Sequence, residues 1–321
     1  EGGVAPLLGV LDAYDPDDPS KNQGSQVLQA AQALESITES LKNITESFEP
    51  GSDEYEVTQD IRSTLAVYIM NQTDETTESL EASLLALENI LSTESDLDAL
   101  PYSIVPRLVE LCTAKHSFTR QVALGCVGLI LAGSHKGINR LAEAGIIGAI
   151  RPCITSEDGE ERRRACWAAS IIAVGTLDED EALMAAGLAP SLVQVVSDPE
   201  EGSSARGHAA CALARLASEQ GEPDDKILET LLEAACLDGL LSALTLKNQS
   251  VVEESLNAIT AFVHRRWSGK QRAIEMLKAA GGVAALRAFK LRPEPDLARE
   301  RLGTHMILEY TLQESSLPPR V

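Results

Sequence analysis

The sequence predicts an all-α chain, a solenoid of about seven three-helix repeats with the first truncated. Three observations predict it. A short helix, a glycine break and a longer apolar helix recur in order, with Gly145 and Gly187 lying 42 residues apart. An Ala/Leu-rich helix follows each such pair, apolar at i, i+3, i+4 and i+7. Finally, 44% of the 321 residues are hydrophobic but only 3% are aromatic. The core is therefore Ala, Leu, Ile and Val, which lets thin helices approach closely, and the aromatics that favour strands are scarce.

Taken in chain order, Gly2 to Leu11 reads as the truncated first copy, and Tyr55 to Met70 as the most degenerate one. Leu100 to Leu111 and Leu231 to Leu244 are weaker copies. The clearest are Leu141 to Ile154, Leu183 to Val196 and Met276 to Phe289. The third helices fall at Ser79–Leu91, Thr119–Ala132, Arg162–Val174, Ala205–Ala217 and Val251–Val263. Polar linkers carrying breakers separate the copies, as in 156–159, 197–202 and 220–223. One such unit cannot bury its apolar face alone, and stacking makes the core continuous. The glycine belongs at the sharp turn between the first two helices, where it takes a positive φ at little cost. Residues 12–60 depart from the pattern. The acidic loop Asp12–Pro19 leads into a helical run, Ser25–Phe48, with Leu28, Ala31, Leu34, Ile37, Leu41 and Ile44 on one stripe.

The sequence "short helix, Ala-Gly-[Gly/Ile/Leu], [Val/Ile]-x-x-Leu, Ala/Leu-rich third helix" resembles the armadillo repeat family. The resemblance covers nearly the whole chain, most clearly 98–290. HEAT-like repeats are the structural runner-up, and the three-helix unit with its mid-unit glycine favours armadillo. The resemblance implies a right-handed superhelical solenoid running as a single array through 1–321. It also implies that the third helices line a concave face where partner proteins lie. In nuclear-import adaptors of the family, that helix carries Trp-x-x-x-Asn: the Asn grips the backbone of an extended peptide and the Trp forms slots for basic side chains. Aligned on their C-terminal ends, the helices here read Leu85, Cys126, Trp167, Cys211 and Leu256 at the Trp position. At the Asn position they read Asn89, Ile130, Ile171, Arg215 and Thr260. No repeat has both residues, which speaks against import-receptor activity.

Candidate partner-binding residues remain on these helices: Arg163, Arg164, Trp167, Arg206, His208, Arg215, Asn257 and His264. Aromatic residues and arginine dominate interface hot spots, so Trp167 is the leading anchor, with packing between repeats as the alternative. Three cations, Arg162 to Arg164, at a helix start oppose the macrodipole and hint at an acidic partner; a solvated first turn is the plain alternative. Arg265, Arg266 and Trp267 set cations beside an aromatic and suit an acidic peptide or phosphate, or else a solvated helix end.

Net charge is −22, unevenly spread: residues 1–100 hold 21 acids against 3 bases, whereas 262–303 hold 10 bases against 4 acids. An acidic end of this kind repels nucleic acid and anionic membranes and attracts basic partners, or else only keeps a long solenoid soluble. The partners expected are other proteins, with no nucleic acid and no membrane span. No catalytic residue, metal site or cofactor is expected: the five histidines are scattered, and there is no H-E-x-x-H, C-x-x-C, G-x-S-x-G or P-loop pattern. The six cysteines sit in apolar helical runs as small hydrophobes, which fits a reducing, cytoplasmic compartment, with a cilium or the cytoskeleton as one setting. The functional expectation is a non-enzymatic scaffold or adaptor, a subunit of a larger assembly such as an axonemal or cytoskeletal one. An armadillo-type nucleotide-exchange cofactor of the Hsp70 chaperone is the alternative. A membrane-recruited adaptor is the second, and it would need a signal upstream of Glu1.

Overall fold

The computed structural model describes residues 4–15, 24–42, 52–73, 77–93, 100–173, 183–184, 186–218, 225–264, 267–291 and 307–308. Among these residues the regular structure is helical, with no strand. The helices are α1 (Val4–Asp12), α2 (Gly24–Lys42), α3 (Asp53–Asn71), α4 (Glu78–Thr93), α5 (Val105–Leu111, entered through a 3-10 turn at Tyr102–Ile104), α6 (Ser117–Gly133), α7 (His135–Glu143) and α8 (Ile146–Ile154). They continue as α9 (Gly159–Ile172), α10 (Leu188–Ser197), α11 (Ser203–Ser218), α12 (Asp225–Glu233), α13 (Cys236–Ala243), α14 (Gln249–His264), α15 (Lys270–Ala279) and α16 (Gly282–Lys290).

Packing divides the chain into two compact units, residues 1–153 and 154–321. In the first, the third helices α2, α4 and α6 pack one on the next, and α1, α3 and α5 lie against them. In the second, α9, α11 and α14 pack side by side, while α10, α13 and α16 form a neighbouring row. Close approach within the α9–α11–α14 row follows from alanine. Ala165, Ala168, Ala169, Ala209, Ala210, Ala214 and Ala217 are fully buried, with Leu213 and Ile259 filling the space between them. Such interiors are close-packed, so small residues fix how near the helix axes come.

The turn into the second helix has one backbone solution in four copies. Gly145 (φ 86°), Gly187 (φ 70°) and Gly281 (φ 75°) stand immediately before α8, α10 and α16. The same place before α13 is taken by Ala235, at φ 60°. These four copies use a left-handed residue here, one of them without glycine, whereas α5 is entered through Ile104 at φ −74°.

Several expectations need correction. Helix α9 begins at Gly159, three residues before the expected Arg162. Asp158 caps it, accepting from the N–H groups of Glu160 (2.9 Å) and Glu161 (3.0 Å). The first turn is thus acidic, Arg162 to Arg164 lie beyond it, and the macrodipole argument for an acidic partner does not hold. On α2 the buried stripe runs through Val27, Ala31, Leu34 and Thr38, while Leu28, Ile37 and Leu41 are half-buried. The degenerate copy is a single 19-residue helix, α3, in place of a short pair. Its C-terminus is fixed by a polar chain: Tyr14 donates to Gln72 Oε1 (2.8 Å), Gln72 to Tyr68 Oη (2.9 Å) and Tyr68 to Ser79 (2.9 Å). Ile44, residues 16–19 of the acidic loop, Arg265, Arg266 and 292–303 lie outside the described residues.

Candidate protein-binding face

The second unit gathers most of the candidate residues on the outward side of its third-helix row. On α9, Arg163 chelates Glu160 through Nε (2.7 Å) and Nη2 (2.6 Å), and Arg164 Nε reaches the same carboxylate at 2.7 Å. The bond from Arg163, ahead of that from Arg164, holds the Glu160 carboxyl down at about 2. Arg162 points elsewhere: it pairs with Glu201 and donates to Ser156 O at 2.7 Å. Trp167, half-buried, sits one turn beyond Arg163 and Arg164.

On α11 the outward stripe is Ser204, His208, Cys211 and Arg215, at i, i+4, i+7 and i+11. Arg215 donates to Ser170 O on α9 (2.6 Å) and to Glu254 Oε1 on α14 (3.1 Å), so one guanidinium ties all three helices together. Burial lowers the proton affinity of His208, and the Arg163 and Arg215 charges lower it further. Burial pushes the Cys211 thiol up to about 12, helped by the Glu254 carboxylate, so it is no nucleophile at neutral pH.

On α14 the outward position belongs to Asn257, which is exposed, whereas Leu256 is 5% exposed and belongs to the core. Leu256, set at the Trp position by the alignment, therefore faces the core. In the first unit Cys126 and Ile130 are fully buried, and Asn89 turns its amide onto Thr38 of α2 (3.4 Å).

Three candidates lie elsewhere. Arg206 donates to Val196 O (3.0 Å) and Ser242 Oγ (2.9 Å), cross-linking α11 to the ends of α10 and α13. Trp267 folds back onto the end of α14, donating to Phe262 O (3.0 Å) and meeting the Phe262 ring edge-on at 6.1 Å. His264, on the last turn of α14, has its proton affinity lowered by burial and then by Lys270. Sequence reasoning missed Glu160 and Glu254. Glu160 was legible, standing three and four residues before the two arginines it holds. Glu254 was not, because its partner is 39 residues away.

Among the described residues no group of three or more His, Cys, Asp or Glu side chains is arranged to hold a metal ion. No described helix is long and apolar enough to cross a membrane.

No family model and no curated protein sequence matches this chain. Solved structures do. A designed armadillo repeat protein is similar over 76% of this chain and 98% of its own, with 22% identity and a TM-score of 0.62. A computationally designed armadillo protein for modular peptide recognition is similar over 94% of this chain and 99% of its own, at 17% identity and TM-score 0.59. A third, a designed armadillo repeat protein in complex with the peptide (KR)4, covers the same shares at 18% identity and TM-score 0.57. The chain has the armadillo-repeat fold. Within that fold the α9–α11–α14 row is a row of armadillo third helices. Arg215 bridges this row, donating to Ser170 O on α9 and to Glu254 on α14.

Proposed function

We propose that this armadillo chain is a non-enzymatic protein-interaction scaffold and that the outward face of α9, α11 and α14 holds its partner. One observation carries the reading: Arg163, Arg164, Trp167, His208, Arg215 and Asn257 come from three helices yet share one face. An aromatic set among arginines is the composition of an interface hot spot, whereas a catalytic group would need a reactive partner that this face lacks. The peptide carried by one of the structural neighbours supports a protein ligand. The finer reading is a stable subunit of a larger assembly, cytoskeletal or axonemal being one such setting.

Affinity purification of the tagged chain, with mass spectrometry of what is retained, tests this when wild type is compared with Trp167→Ala/Asn257→Ala. We expect a stoichiometric partner set that the double variant loses, since truncating a hot-spot aromatic typically costs about 2 kcal/mol, roughly thirtyfold in affinity. Retention of the same set by the variant would move the binding surface off this face. Recovery of Hsp70 alone, released by ATP, would replace the scaffold with an exchange cofactor.

A further inference from the structure

We propose that the α9–α11–α14 face takes an acidic segment of a partner protein, one that presents Asp or Glu side chains beside an apolar residue. The inference rests on the docking role above and adds the chemistry of the occupant. Among the described residues, cations outnumber carboxylates where α9 meets α11. Three guanidiniums, Arg163, Arg164 and Arg215, and the imidazole of His208 lie there. The one carboxylate on these two stripes is Glu160, held by Arg163 and Arg164 together. The remaining acids of the face, Glu253 and Glu254, stand at the α14 edge, where Glu254 already binds Arg215. Charge thus runs from positive over α9 and α11 to negative over α14, and a carboxylate seated beside His208 meets Arg163 on one side and Arg215 on the other. Both arginines lie close enough to His208 to act on its protonated form.

Trp167 supplies the apolar half of the recognition, one turn along α9 from Arg163 and Arg164. An apolar side chain next to the acids of the segment would lie on its ring. A basic segment would bring its cations against the same guanidiniums, and like charges across an interface suppress the wrong partner. It would also find no row of amides for its backbone, since Asn257 is the one outward Asn on the three helices.

The test uses the whole chain carrying Trp267→Phe, so that Trp167 is the sole indole emitter. Three twelve-residue peptides free of Trp and Tyr are titrated against it, built from Glu and Leu, from Lys and Leu, and from Ser and Gly. We expect the Glu/Leu peptide to shift Trp167 emission, with an affinity that falls as salt rises and falls at least about tenfold, 1.4 kcal/mol, in Arg163→Gln/Arg164→Gln. The salt series on the unaltered arginines keeps the test decisive should that double variant melt early. If the Lys/Leu peptide shifts Trp167 and the Glu/Leu peptide does not, the docking role stands and the acidic occupant is overturned. If no peptide moves the emission up to about 1 mM, both fall. A shift given only by a single-stranded oligonucleotide would assign the face to phosphate and overturn the proposal.

Discussion

At the scale of single residues, the molecule offers an unplanned comparison at one backbone position. Gly145, Gly187 and Gly281 adopt φ between 70° and 86°, and Ala235 holds φ 60° at the equivalent turn. A non-glycine residue there carries a penalty of roughly 1–2 kcal/mol from Cβ against its own backbone, partly offset by the smaller entropy alanine loses on folding. Ala235→Gly should therefore stabilise the chain by about 0.5–1 kcal/mol, read as a rise in the urea midpoint. Gly187→Val runs the comparison backwards. No atom lies within 4 Å of a Cβ at Gly187, so its expected cost of about 1 kcal/mol or more is backbone strain alone. An unchanged midpoint would remove the left-handed turn from the account. His208 sets a pH dependence. Its proton affinity is lowered in the folded chain, so the unfolded chain takes up the proton first. Its contribution is complete above the ordinary imidazole range and is lost as pH falls through it. Chemical denaturation of wild type and His208→Gln across that range should give a flatter profile for the variant.

At the scale of elements, the helix boundaries show what could be read in advance. Third helices were legible because an apolar stripe of period 3.6 in Ala and Leu belongs to one segment and depends on nothing distant. The start of α9 lies three residues before the expected one because Asp158, not the Arg162 to Arg164 run, sets it: its side chain and the two amides it caps define the first turn. Asp158→Ala should cost about 1 kcal/mol and fray that turn, measurable as faster amide exchange at Glu160 and Glu161. The face itself was partly legible. Arg163, Arg164, Trp167, His208, Arg215 and Asn257 were named from their residue types on the third helices. Arg206 was named with them, and only the structure shows its guanidinium taken up by Val196 and Ser242. Spacing along one helix says which residues point outward and is silent on which of them a neighbouring helix will claim. Arg206→Ala should accordingly lower stability and leave partner retention unchanged, the reverse of Trp167→Ala.

At the scale of the whole molecule, the six thiols report on packing everywhere at once. Cys112, Cys126, Cys153, Cys166 and Cys236 are buried, Cys211 is half-buried, and none of the six forms a disulfide. Burial pushes Cys166 up to about 12 and raises Cys236 as well. Thiol titration with a chromogenic disulfide should find all six slow in the native chain and all six fast in denaturant. A fast native thiol would mark a region that opens. The two units differ in what binds one third helix to the next. In the first, each polar bond joins only two helices: Asn89 of α4 reaches Thr38 of α2 (3.4 Å), and Thr119 of α6 donates to Glu81 of α4 (3.1 Å). In the second, Arg215 spans from Ser170 to Glu254. Repeat arrays lengthen and shorten by copying or dropping units, which is harmless while neighbours are interchangeable. A side chain whose acceptors belong to the unit before and the unit after ends that interchangeability. The segment bearing Arg215 has a fixed place in the row, and a shuffled array would carry a half-buried charge into company that cannot answer it.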